Sequence, residues 1–226
     1  MDKAYISGIG HYLPEKIVTN DDLSKIMDTS NEWIIERTGI QQRHYVSPGQ
    51  GPSDLAIPAT ENALKMANLS VKDIDLIIFA TSTPDYYAPG SGCLLQDKMG
   101  FHTIGALDIR VQCSGFVYGL SIANQYIKTG EAKNVLVIGA EVQSTTLDLS
   151  TKGRDTAVIF ADGAGAAVVS ATNEDKGILS THLYSEGKHA KELWVESPST
   201  IDSPRLTPEI LDDGKHFLYM NGREVF

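Results

Sequence analysis

Strand-like and helix-like patterns alternate along the chain. Short unbroken apolar runs, or apolar residues at every second position, predict strands at 4–9, 76–80, 105–111, 134–140, 156–160, 165–170 and 177–183. Apolar residues three and four apart predict helices. Asn20 reads as an N-cap, with Asp21 and Asp22 in the first turn and Leu23, Ile26 and Met27 as the apolar stripe. Thr29-Ser-Asn-Glu32 fits a capping box opening a second short helix that ends near Gly39. Residues 53–68 read as a helix weakened early by Pro58, and 91–99 as another, after a turn-rich loop at 81–90. A strand with Leu107, Ile109 and Val111 on one buried face runs into a helix whose stripe is Phe116, Leu120, Ala123 and Ile127. Ala161-Asp-Gly-Ala-Gly165 reads as a turn between two strands. This alternation implies an α/β fold with a mostly parallel sheet covered on both faces. Residues 188–215, rich in Ser, Pro and Asp, break the rhythm and read as a surface excursion.

Composition narrows the partners. The 226 residues suffice for one large domain or two small ones, and 42% hydrophobic residues supply a core. A net charge of −10 argues against nucleic acid and anionic membrane. Two cysteines, Cys93 and Cys113, fit a reducing compartment. The first residues, Met1-Asp-Lys-Ala-Tyr, contain no secretory apolar region, and no apolar run reaches membrane-spanning length. The expected location is the cytoplasm.

Cys113 is the leading chemical candidate. It falls where a strand ends and a helix begins, so its sulfur faces unpaired amides and the positive end of a helix dipole. Both favour the nucleophilic thiolate. Ser114 and Gly115 are small enough for a carbonyl to approach, with amides to hold an oxyanion. The alternative is a small buried core residue. Thr81 and Glu141 also fall at the carboxyl ends of strands, where α/β sheets carry their chemistry. Trp33 and Arg37 lie four apart on one helix face, and Arg43 follows. An aromatic plane beside a guanidinium suits a nucleotide, although a ring packed under an arginine stem has the same spacing.

Other patterns carry less. Gly8-Ile-Gly10 follows a strand, but the third glycine of a dinucleotide fingerprint would fall at Leu13; Asp162-Gly-Ala-Gly165 fails at Val168. Both read as tight turns with close backbone packing. His11, His44, His102, His182, His189 and His216 show no metal-ligand spacing. Asp21–Asp22 and Asp212–Asp213 read as cap and loop residues.

Four segments in order resemble the β-ketoacyl-acyl-carrier-protein synthase III family. They are Asp28-Thr-Ser-Asn-Glu-Trp-Ile-Ile-Glu-Arg-Thr-Gly-Ile-Gln-Gln-Arg-His44, Cys-Ser-Gly-Phe at 113–116, Phe160-Ala-Asp-Gly-Ala-Gly-Ala-Ala-Val168 and Met220-Asn-Gly-Arg-Glu-Val-Phe226. The resemblance implies a thiolase-like fold of two βαβ-type halves in five layers, paired as a homodimer. Residues 1–170 would be the first half and 171–226 the start of the second, with the 188–215 excursion inside it. It implies that Cys113 takes an acyl group from acyl-CoA, without a cofactor or metal, for decarboxylative condensation with malonyl-acyl-carrier protein. Trp33 would stack on the CoA adenine. Thr29, Arg37 and Arg154 would lie near the nucleotide, and Phe160 and Gly222 along the pantetheine channel.

Departures qualify these expectations. The family's decarboxylating histidine and asparagine belong to its second half, and the sequence stops at Phe226 before either. None of the six histidines matches that motif. The basic patch that docks the acidic carrier is expected in the same missing part, and a chain of charge −10 repels such a carrier. The expectation is a fragment of a longer enzyme that does not itself complete condensation. Ala88 stands in the 81–93 loop where relatives that prefer short primers carry a large aromatic residue, which implies a roomier acyl pocket. The wording Leu107-Asp-Ile-Arg-Val-Gln-Cys113 also resembles condensing enzymes of quinolone-type secondary metabolism. Two further alternatives stand open. One is a non-catalytic remnant that binds acyl-CoA or dimerises. The other is a Cys113 thioester hydrolase, which lacks a local general base.

Overall fold

A computed structural model describes residues 3–225. Met1 and Asp2 at the expected leaderless N-terminus, and Phe226 at the end of the fourth segment, lie outside the described residues. In chain order the elements begin with β1 (Lys3–Tyr12), β2 (Lys16–Thr19), α1 (Asn20–Ser24), α2 (Asn31–Thr38), β3 (Gln42–Tyr45), α3 (Pro52–Ala67), β4 (Leu76–Ala80), α4 (Ser91–Met99) and β5 (Gly105–Ile109). They continue with α5 (Gly115–Thr129), β6 (Asn134–Val142), α6 (Arg154–Ala157), β7 (Asp162–Thr172), β8 (Leu193–Trp194), α7 (Pro208–Asp212), β9 (Tyr219–Met220) and α8 (Gly222–Val225). They form two compact units from interleaved segments. The first comprises Met1–Pro14, Val46–Val142 and Asp162–Leu183; the second comprises Glu15–Tyr45, Gln143–Ala161 and Tyr184–Phe226. This spatial division cuts the chain differently from a boundary at residue 170.

The first unit is built on a five-stranded sheet of order β1-β7-β6-β4-β5. β4 pairs in parallel with β5 and β6, while β7 is antiparallel to both β6 and β1. Four of the five strands therefore share one direction, giving the mostly parallel mixed sheet of an α/β fold. Alternation along β4 divides the core. Ile77 and Phe79 pack with Leu55, Ala59 and Ala63 of α3, and Leu76 and Ile78 pack with Ala123 and Ile127 of α5. Each such fully buried aliphatic or aromatic side chain contributes about 1.5–3 kcal/mol. That burial keeps α3 helical through Pro58.

The second unit holds the antiparallel β2–β3 pair, the β8–β9 pair and a cluster containing Leu23, Met27, Ile34, Leu147 and Val158. Arg43 is buried beside it, donating to the Val18 carbonyl at 3.3 Å and the Val158 carbonyl at 3.1 Å. Burial lowers its pKa.

Several local expectations are corrected. Thr19, not Asn20, caps α1: its Oγ1 accepts the Asp22 amide while the Asp22 carboxylate accepts the Thr19 amide. Asn20 is the first helical residue, and its side chain donates to Asn31 and to the Ile40 carbonyl. Ser30, not Thr29, caps α2 by accepting the Trp33 amide. The strand of Leu107 is an edge strand that stops at Ile109, with Leu107 38% exposed, and Val111 lies beyond it. Residues 156–160 are not a strand. Arg154–Ala157 is a helical turn, because a short apolar run fits either a strand or a buried helix. The glycines of 161–165 enter β7 instead of turning. Residues 177–183 form no strand, although the Ile178 amide donates to the Ala4 carbonyl. The excursion contains structure of its own in β8 and α7.

Candidate active site

Cys113 lies in the single 3₁₀ turn Gln112–Ser114 between β5 and α5, and its side chain is exposed, not core. Two features shape that turn. Gln112 has φ +45°, a left-handed conformation that costs a non-glycine residue about 1–2 kcal/mol. Ser114 Oγ donates to the Val111 carbonyl at 2.7 Å. The first residues of α5 then sit directly on the sheet. A Cβ on Gly115 would lie 2.8 Å from Ala80 Cβ, and one on Gly119 2.7 Å from Val137 Cγ1. Only glycine permits this approach. It sets the head of α5, whose first amide, that of Gly115, donates to the Gln112 carbonyl, at the carboxyl ends of β4 and β5. The Cys113 thiol is thus exposed just ahead of a helix N-terminus.

The neighbouring loop, 81–90, is held by carboxylates. Its first residue, Thr81, donates its amide to the carbonyl of Ile109, the last residue of β5. Glu141 accepts from the Ser82 amide at 2.8 Å, Ser82 Oγ at 2.9 Å and Thr83 Oγ1 at 2.7 Å. Asp85 accepts from Ser53 at the start of α3, and Asp108 accepts from the Ser91 and Gly92 amides at the start of α4. Between these anchors Tyr86, Tyr87, Ala88 and Pro89 are exposed. Glu141 thus holds a loop and is not itself placed as a reacting group.

Burial raises the Asp108 pKa; the two amides oppose this, and Asp85 adds to it. An acid whose folded pKa is raised gives its full stability contribution below the unfolded value and loses it as pH rises through the folded value. Wild type should therefore gain stability relative to Asp108→Asn as pH falls from 7 toward the unfolded carboxylate range. Urea titrations of both proteins at stepped pH measure this, and a constant or shrinking difference refutes it.

In the second unit the structure gathers three of the predicted nucleotide residues. The guanidinium carbons of Arg37 and Arg154 each lie 4.5 Å from the centre of the Trp33 ring. Trp33 and Phe160 both pack against the cluster of Ile34 and Val158. Arg154 Nη1 donates to the Asp28 carbonyl at 2.8 Å, but its Nε is buried without a hydrogen-bond partner, as is Thr29 Oγ1 on the next residue. Arg154 Nε instead faces the Asp155 carboxylate at 3.6 Å. Gly222 opens α8, where a Cβ would meet only Met220 Cε at 3.9 Å. Close packing therefore gives no reason for glycine at that position. Gly8 and Gly10 lie inside β1, not in a turn. Among the described residues no three His, Cys, Asp or Glu side chains gather as a metal site, and no helix is long and apolar enough to cross a membrane.

Comparison with known proteins decides the family. The pattern of the 3-oxoacyl-[acyl-carrier-protein (ACP)] synthase III family matches residues 107–187, which include the Cys113 turn and β7. A β-ketoacyl-[acyl-carrier-protein] synthase III of Thioalkalivibrio sulfidiphilus is 46% identical over all of this chain and 68% of its own length. The chain belongs to the β-ketoacyl-acyl-carrier-protein synthase III family. The enzyme of that name from Caldanaerobacter subterraneus is 47% identical over 99% of the chain. The chain spans 66% of that relative, just under two thirds. The crystal structure of the Aquifex aeolicus 3-oxoacyl-[acyl-carrier-protein] synthase III superposes with a TM-score of 0.86 at 41% identity, covering 100% of this chain and 66% of that one. The thiolase-like fold class follows from these likenesses.

In the sequence, local pattern alone singles out Cys113 and the Trp33–Arg37 pair. It did not find Arg154 on the Trp33 ring. The two are remote in sequence, and only the family resemblance pointed to the arginine. Glu141 was noted at its strand end, but no sequence signal ties it to Ser82 and Thr83.

Proposed function

We propose that the chain carries the acyl-accepting chemistry of a condensing enzyme of fatty-acid synthesis. The observation that carries this reading is Cys113, exposed on a strained turn at the head of α5. The Cys113 thiolate attacks the thioester carbonyl of acyl-CoA. The α5 amides stabilise the oxyanion, and the intermediate collapses to a Cys113 thioester with CoA thiolate as the leaving group, which takes up a proton. In the complete reaction, malonyl-acyl-carrier protein loses CO₂, and the resulting carbanion attacks the Cys113 thioester and releases the thiolate. No cofactor enters this chemistry. Residues 1–170 are the first half of the family fold and 171–226 begin the second. The protein works in the cytoplasm as a homodimer, and Ala88 belongs to the acyl pocket.

Trp33, Arg37, Arg154 and Thr29 take the nucleotide end of CoA, and Phe160 and Gly222 the pantetheine arm. The two cations beside one ring suit a base joined to phosphates. Loss of Trp33 or Arg154 to alanine should raise the acyl-CoA concentration for half-maximal labelling of Cys113 about 5- to 30-fold, corresponding to about 1–2 kcal/mol. The labelling rate at saturation should change little. An unchanged half-saturation point refutes the assignment. The reading as a whole is tested by intact mass after incubation with acyl-CoAs of graded chain length. One acyl increment is expected, and none with any primer counts against it.

A further inference from the structure

We propose that Arg43 is a positioning residue for the nucleotide end of acyl-CoA, acting through the turn that carries Arg154. The proposal rests on the reading of Trp33 and Arg154 as nucleotide residues. Arg43 follows Trp33 and Arg37 in the sequence, yet it is only 4% exposed and does not itself reach a ligand. A guanidinium in that place is held against a penalty. Burial is the main influence on its pKa and lowers it; the Tyr45 phenol opposes this, and no carboxylate does among the described residues. Its Nε is buried without a hydrogen-bond partner. An apolar side chain of similar volume would fill the same cluster without the desolvation of a charge. Packing alone therefore does not account for arginine at position 43.

What the guanidinium does is join two segments. From β3 it donates through Nη1 to the Val18 carbonyl of β2 and through Nη2 to the Val158 carbonyl just past α6. Its rigid planar fork fixes those two carbonyls relative to each other. The Val158 amide donates in turn to the Arg154 carbonyl at 3.2 Å, and Phe160 follows two residues on. The carbonyl that Arg43 holds thus belongs to the turn that presents Arg154 to the Trp33 ring. Trp33 and Arg37 stand on α2, which leads into β3, so the ring and its second cation arrive on different segments. Two further bonds join these segments at the start of α6: Arg154 Nη1 donates to the Asp28 carbonyl, and the Asp28 amide donates to Thr151 Oγ1 at 3.0 Å. A single helical turn held at one end can pivot about it. Ala157 and Val158 pack into the cluster at the other end, but apolar burial has no direction. The Arg43 bond supplies the direction there, and with it the placement of the Arg154 guanidinium over the ring.

The test uses the full chain and coenzyme A, with binding followed by titration calorimetry, which gives the affinity and the number of sites separately. Arg43→Met fills the volume without the donors. It should raise the Kd about 5-fold, the scale of one net hydrogen bond. A merely structural role would lower the melting temperature or the number of competent sites and leave the Kd of the folded molecules as it was. In the Arg154→Ala background Arg43→Met should add less than about twofold, because the side chain that it positions is gone. Arg43→Lys keeps the charge without the planar fork and should also weaken binding, which keeps the question decidable if Arg43→Met does not fold. An unchanged Kd in the Arg43 variants, or an effect additive with Arg154→Ala, overturns the proposal while leaving Trp33 and Arg154 at the nucleotide. An unchanged Kd in Trp33→Ala and Arg154→Ala, or no binding by wild type, overturns the nucleotide reading, and this proposal with it.

Discussion

Cys113→Ala should abolish acyl labelling and leave the fold intact. The two halves of this expectation rest on different observations. Loss of labelling follows because the proposed reaction forms its thioester at this sulfur; alanine offers nothing in its place. Cys93, the other free cysteine, is exposed in the first turn of α4, but the first two amides of that helix already donate to the Asp108 carboxylate and do not serve an oxyanion, so it should not substitute. Retention of the fold follows from exposure: Cys113 fills no cavity, so its truncation should change stability by no more than about 0.5 kcal/mol. Cys113→Ser keeps the approximate size but replaces the sulfur with a much less nucleophilic hydroxyl oxygen. Its labelling should fall by on the order of 10³-fold or more. The measurements are intact mass over a time course and a thermal melt of each variant. Residual labelling in Cys113→Ala at the wild-type rate would transfer the reaction to another nucleophile. A large drop in melting temperature would make Cys113 a packing residue after all.

The contrast between what the sequence revealed and what it concealed has physical causes. β4 and α4 were legible to the residue because each is bounded by strong local signals: an unbroken apolar run before a polar loop, and glycines on both sides of the helix. The Cys113 turn was legible because the change from strand pattern to helix pattern occurs there. The edge position of β5 was not, since alternation in one strand says nothing about how many neighbours it has. Residues 156–160 were misread as a strand because Val158, Ile159 and Phe160 form a run too short to carry a period. The cap shifts at Thr19 and Ser30 came from choosing between adjacent polar residues that all favour caps. Long-range pairs, Arg154 with Trp33 and Glu141 with Ser82, leave no periodic trace. They depend on tertiary structure alone.

Gly10→Ala should be the most destabilising single-methyl addition in the sheet. The alternation Gly8-Ile-Gly10 invites reading as a ligand loop, yet both glycines lie in β1 against the backbone of α3. A Cβ on Gly10 would lie 2.1 Å from the Ala59 carbonyl oxygen and 2.6 Å from the Ala63 amide nitrogen; one on Gly8 would lie 2.2 Å from the Ala63 carbonyl oxygen. These are backbone atoms of a helix packed by Leu55, Ala56, Ala59 and Ala63, and they cannot rotate aside. The helix must lift from β1, which loosens the cluster that includes Ile77, Phe79 and Leu136. Overpacking of this kind costs about 3 kcal/mol or more, or roughly 6–12 °C in melting temperature for a chain of this size. Gly187→Ala is the matched control, because a Cβ there meets nothing within 4 Å and should change stability by no more than about 0.5 kcal/mol. Thermal melts of the two variants beside wild type decide between packing and binding. A glycine kept for a ligand's approach would leave the melt near wild type and weaken binding instead. A glycine kept for a helix's approach lowers the melt whether or not acyl-CoA is present, since the clash lies in the folded backbone itself.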